Sequence, residues 1–93
     1  GIKSTSDGGC IVIAGTGDEY GRYKRKCGMD KDNSNNWNVY LIKLSSSGTV
    51  EWQQTFGLIG SDWAGEDIDL TSDGGAIVAV DNGQFGFLKI APF

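Results

Sequence analysis

Thr5-Ser6-Asp7-Gly8-Gly9 and Thr71-Ser72-Asp73-Gly74-Gly75 are the same five residues, and each is followed by a short apolar run. A duplication of this kind says that the chain is built from copies of one unit. Asp-Gly-Gly between two β-prone runs is also a turn sequence, because glycine supplies the backbone angles a tight reversal needs. A unit this small buries its apolar faces only against a neighbouring copy, so the chain is expected to stack repeats or to find a partner.

The later copy reads most clearly. Glu66-Asp67-Ile68-Asp69-Leu70 alternates acidic and apolar residues, the period-2 signature of a half-buried strand. After the turn, Ala76-Ile77-Val78-Ala79-Val80 suits a strand buried on both faces. Asp81-Asn82-Gly83 turns again, and Phe85 to Ile90 forms a third strand.

Sliding the first copy beneath it places Ile2 on Ile68 and Cys10 on Ala76 at an offset of 66. Tyr40-Leu41-Ile42-Lys43-Leu44 then falls on Gly86-Phe87-Leu88-Lys89-Ile90 at an offset of 46. The difference is a 20-residue insertion within 15–38, and the underlying repeat is about 46 residues, the range of a four-stranded propeller blade. A fourth strand, Val50 to Phe56, occurs once and is expected to put Val50, Trp52, Gln54 and Phe56 on one face. The expected organisation is a single all-β segment over 1–93. Residues 1–56 form a first repeat with the insertion, and 57–93 a second that lacks its fourth strand.

Leu-Ile-Lys-Leu, then Gly48, Trp52, Thr55-Phe56-Gly57, an Asp/Trp loop and Thr-Ser-Asp-Gly-Gly-x-Ile-Val together resemble the bacterial β-propeller repeat. The resemblance covers 39–90 and, weakly, 2–14. That family is found in secreted and cell-surface proteins and is distantly similar to pyrroloquinoline-quinone-type propeller repeats. It implies antiparallel four-stranded blades, about two here, the last incomplete, and an extracellular or cell-surface location. In such a fold Trp52, Phe56 and Phe87 would pack between blades. Two blades do not close a ring, so the unit is expected to be part of a larger propeller or a homo-oligomer or polymer joined through exposed strand edges. The missing initial Met and signal peptide fit mature or excised material.

Charge narrows the function classes. The net charge of −4 divides into +2 over residues 1–44 and −6 over 45–93. An acidic balance disfavours a nucleic-acid partner, since phosphate contacts supply most of that affinity. No apolar run approaches the roughly 20 residues of a helical membrane span, so no membrane partner is expected. There is no His, which removes Ser-His-Asp and Cys-His catalysis. Glu66, Asp67 and Asp69 read as solvent-facing charges rather than a hydrolytic pair. The chain is therefore expected not to be an enzyme. A quinoprotein-type fragment ranks last, because no cofactor-contacting set is visible.

Most of the remaining site candidates sit in or beside the insertion. Asp30, Asp32, Ser34 and Asn36 place oxygens at alternate positions, as a calcium loop does. Asn35 replaces the loop glycine, however, and Leu41 stands where the closing Glu would be. Calcium is the single cofactor candidate; otherwise none is expected. Arg22 to Lys26 holds four cations around Tyr23, which suits an acidic neighbour, an anionic ligand or simple solvation. Trp37, Trp63, Tyr20 and Tyr23 lie in or beside loops, where flat rings stack on sugars, so a glycan-binding, lectin-like oligomeric propeller is the alternative function. Cys10 and Cys27 are the only cysteines and suit either one disulfide in an oxidising compartment or two free thiols.

Overall fold

A computed structural model describes residues 1–16, 37–57 and 62–93. Seven strands follow one another: β1 (Ile2–Ser4), β2 (Cys10–Thr16), β3 (Asn38–Leu44), β4 (Val50–Phe56), β5 (Ala64–Leu70), β6 (Ala76–Asp81) and β7 (Phe85–Ile90). They form two antiparallel sheets, β1-β2-β3-β4 and β5-β6-β7. The fold is all-β among the described residues, as the alternating and β-branched runs require.

The duplicated turns fix matching registers. Gly8 and Gly74 have φ of 84° and 86°, a left-handed conformation that only glycine takes without steric cost. In each turn the glycine N–H donates to the threonine carbonyl three residues back, Gly8 to Thr5 and Gly74 to Thr71, both at 3.1 Å. A three-residue loop results, closed by the threonine N–H donating to the second glycine's carbonyl. Ser45 to Thr49 builds the same loop with Gly48 at φ 85°. Beyond the turns, Ile2 pairs with Val12 as Ile68 pairs with Val78, and Cys10 with Leu44 as Ala76 with Ile90. The two ladders thus correspond rung for rung at the offsets read from the sequence. The first ladder has one more rung, Thr16 with Asn38, and Gly15, Thr16 and Asn38, all inside the 15–38 bounds given to the insertion, belong to strands.

The sheets stack face to face. The front of the first sheet contributes Ile11, Ile13, Val39 and Leu41 to the core; the second contributes Ile68, Ala76, Val78 and Val80. Close approach depends on Gly65, where a Cβ would fall 2.4 Å from Ile13 Cδ1. Trp52 packs against the rim of this core and meets Phe93 edge-on, with ring centroids 5.4 Å apart at 72°.

Three expectations are corrected. The apolar run in β6 is not buried on both faces, since Ile77 is 38% exposed, and in the matching run of β2 Val12 and Ala14 are half-buried. Among the described residues there are two sheets, and each covers only one face of the other. For the same reason Phe87 does not pack between sheets but stands 73% exposed on the uncovered side. Val50 does not share the Trp52 face either. Lys43 pairs with Trp52 and Leu44 with Val50, leaving Glu51 as a bulge residue, and one extra residue turns everything before it to the other side.

Candidate functional site

Each duplicated turn is tied to the third strand of its own sheet by a lysine. Lys43 in β3 and Lys89 in β7 are each the penultimate residue of their strand. In the first sheet, Lys43 Nζ donates to Asp7 Oδ2 at 3.0 Å, to the Leu44 carbonyl at 2.9 Å and to Glu51 Oε1 at 3.2 Å. In the second, Lys89 Nζ donates to Asp73 Oδ2 at 2.9 Å and to the Ile90 carbonyl at 2.8 Å. The other carboxylate oxygen of each aspartate accepts from the turn itself. Thr5 Oγ1 and the Gly9 N–H donate to Asp7 Oδ1, and Thr71 Oγ1 and the Gly75 N–H donate to Asp73 Oδ1.

The second glycine of each motif makes room for this arrangement. A Cβ on Gly9 would lie 2.1 Å from the Leu44 carbonyl oxygen, and one on Gly75 at 2.1 Å from that of Ile90. Lys43 is 3% exposed, whereas the Lys89 side chain keeps 48% of its surface open. The bulge in β4 accounts for part of this difference, since it swings Glu51 over the Lys43 ammonium as a second carboxylate.

The electrostatics follow from these bonds. The threonine hydroxyl, the glycine N–H and the lysine hold Asp7 well below the usual carboxylate range, the Thr5 bond contributing most. Asp73 is lowered in the same way by Thr71, Lys89 and Gly75. For Lys43, burial works against the charge, but the bonds to Asp7 and Glu51 outweigh it and raise the ammonium above its usual value. All three groups therefore stay charged at neutral pH. An open cleft lies between the two turns, with Thr5, Ser6, Asp7, Lys43, Thr71 and Phe93 among its walls. Carboxylates pinned in the ionised form suit a clamp better than proton transfer.

The loop aromatics are partly brought together. The Trp63 backbone N–H donates to the Trp37 carbonyl at 2.8 Å, and the Trp37 backbone N–H donates to Asp62 Oδ1 at 2.9 Å. Trp37 is 37% exposed and Trp63 is half-buried, packed against the core. Tyr20 and Tyr23 lie outside the described residues, as do the basic run from Arg22 to Lys26 and the calcium candidates Asp30, Asp32, Ser34 and Asn36. Cys10 is half-buried in β2 and has no disulfide partner among the described residues; Cys27 lies outside them. Asp67 and Asp69 share the uncovered face of the second sheet, opposite Ala79 and Ile77.

Sequence reasoning missed the lysine clamp. The signal was present, since Lys43 and Lys89 correspond at the same offset of 46 that aligns the strands, and each copy pairs this lysine with an Asp-Gly-Gly turn. A charge of each sign repeated at fixed positions in both units is a contact pattern, not merely a solvated surface. No protein-family model matches the chain, and neither a curated protein nor a solved structure does.

Proposed function

We propose that this chain is a structural or binding module of the propeller-blade type, completed by neighbouring chains or by further repeats, and not an enzyme. One observation carries the reading: among the described residues nothing pairs with the outer edge of β7, where the first sheet has its fourth strand. An open edge presents unpaired N–H and C=O groups that a strand from elsewhere satisfies. The matching ladders and stacked sheets support the blade comparison, and the clamped, permanently charged aspartates support a scaffold. The glycine-, asparagine- and serine-rich composition supports an extracellular or cell-surface setting.

The test is mass in solution. Sedimentation equilibrium over a range of concentrations is expected to show a trimer, a tetramer or an indefinite polymer. A monodisperse monomer that unfolds cooperatively would overturn the reading.

A glycan-binding role is the second reading, favoured by the backbone bond between Trp63 and Trp37 and by the exposure of Trp37. Flat rings at one end of stacked sheets suit sugar faces. Binding on a glycan array that disappears in Trp37→Ala, while the melting temperature holds, would support it; a blank array would sink it.

A further inference from the structure

The two sheets face the same way along the stack. On the front of the first sheet Ile11, Val39 and Leu41 are fully buried. Their counterparts at the repeat offsets, Ile77, Phe85 and Phe87, are 38%, 82% and 73% exposed. The backs show the reverse. Ile68 is 1% exposed in the second sheet, while its counterpart Ile2 is 64% exposed in the first. The internal interface thus mates the front of one repeat with the back of the next. A front whose apolar centre is flanked by Asp67, Asp69 and Lys89, and a back that carries Ile2, Val12 and Ile42 and no charged residue among the described residues, are left open at opposite ends.

We propose that the front of the second sheet, through Ile77, Phe85 and Phe87, docks on the back of the first sheet of a second copy, through Ile2, Val12 and Ile42. The proposal rests on the module reading above but replaces edge pairing with face stacking as the contact between chains. Its basis is the interface already present inside the chain, which the intermolecular one repeats position by position. The residues differ in size: Phe85 and Phe87 are larger than Val39 and Leu41, while the receiving back carries Ala14 where the second sheet has the buried Val80. Because front meets back, the contact is heterologous. It closes into a ring if the rotation between repeats allows and otherwise continues as a stack.

Two half-blocked variants test this. Phe85→Ser/Phe87→Ser removes the front, and Ile2→Asp charges the back; all three positions are exposed, so each chain is expected to fold, as far-UV circular dichroism will confirm. Each variant alone is expected to sediment as a monomer, while an equimolar mixture gives a dimer that grows no further, since one open front meets one open back. Should either fail to fold, Phe87→Lys and Ile42→Lys replace them. Variants that assemble like the parent chain would overturn face stacking and leave edge completion standing. A front variant that dissociates while Ile2→Asp still assembles would mean a front-to-front contact, and would overturn it too. A parent chain that stays monomeric at every concentration would overturn both readings.

Discussion

Lys43 Nζ lies 3.0 Å from Asp7 Oδ2, joining a turn to a strand 36 residues later, and Lys89 with Asp73 repeats the contact at 2.9 Å. Both lysines bond a turn aspartate and the carbonyl of the following residue, yet the two clamps sit in different surroundings. Lys43 is buried under Glu51 and the stacked second sheet; Lys89 is open. Removing one partner of a buried, hydrogen-bonded pair strands the other charge, whereas an exposed pair gives up little. Lys43→Met is therefore expected to lower the melting temperature by roughly 5 °C or more, and Lys89→Met by much less. Thermal unfolding followed by circular dichroism will check the ordering, and equal shifts would contradict it.

The depressed aspartates give the stability an acid limb. Asp7 and Asp73 bind protons less readily folded than unfolded, so their contribution is present above the ordinary carboxylate value of 3.8 and is lost as the pH falls through their folded values. Lys43 adds the opposite limb. Its contribution is full below 10.5 and is lost as the pH climbs through its raised folded value. Denaturant midpoints are expected to fall on both sides of a plateau. Asp7→Asn/Asp73→Asn should be less stable at neutral pH and show a flatter acid limb; an unchanged limb would argue against the clamp.

Two kinds of glycine separate by cause. Gly9→Ala drives a Cβ into the Leu44 carbonyl oxygen, and the crowding is expected to cost about 1–3 kcal/mol. Gly48 has open space around it but a φ of 85°, so Gly48→Ala should cost about 1–2 kcal/mol through the backbone alone. Asparagine tolerates the left-handed region, so Gly48→Asn is expected to recover much of that loss and Gly9→Asn none. Urea denaturation of the four variants reads this directly.

Leu41 and Phe87 occupy equivalent strand positions and should respond differently. Leu41→Ala empties a fully buried site and is expected to cost about 2–5 kcal/mol. Phe87→Ala, measured in dilute solution where copies are apart, should stay within about 0.5 kcal/mol. A large loss at Phe87 under those conditions would mean that its ring is covered within the single chain.

Local chemistry by itself determined the repeat, the turns and the registers of this chain. Asp-Gly-Gly and Ser-Ser-Ser-Gly are each read within a few residues, because a left-handed glycine and a three-residue loop are local geometry, and the turn then dictates which residues pair across it. What only the tertiary structure decided is which face of each sheet is covered. Ile11 and Ile77 are the same residue in the same repeat position, yet one is fully buried and the other open, since burial depends on whether another sheet lies above. The clamp belongs between the two. Its lysines and aspartates are visible in the sequence as repeated charges, but turn and strand lie 36 residues apart in the first copy and meet only once the ladder forms. Val50 makes the same point from the other side: a single bulge residue, Glu51, reverses a face assignment that strict alternation had made, and brings the second carboxylate to the Lys43 ammonium.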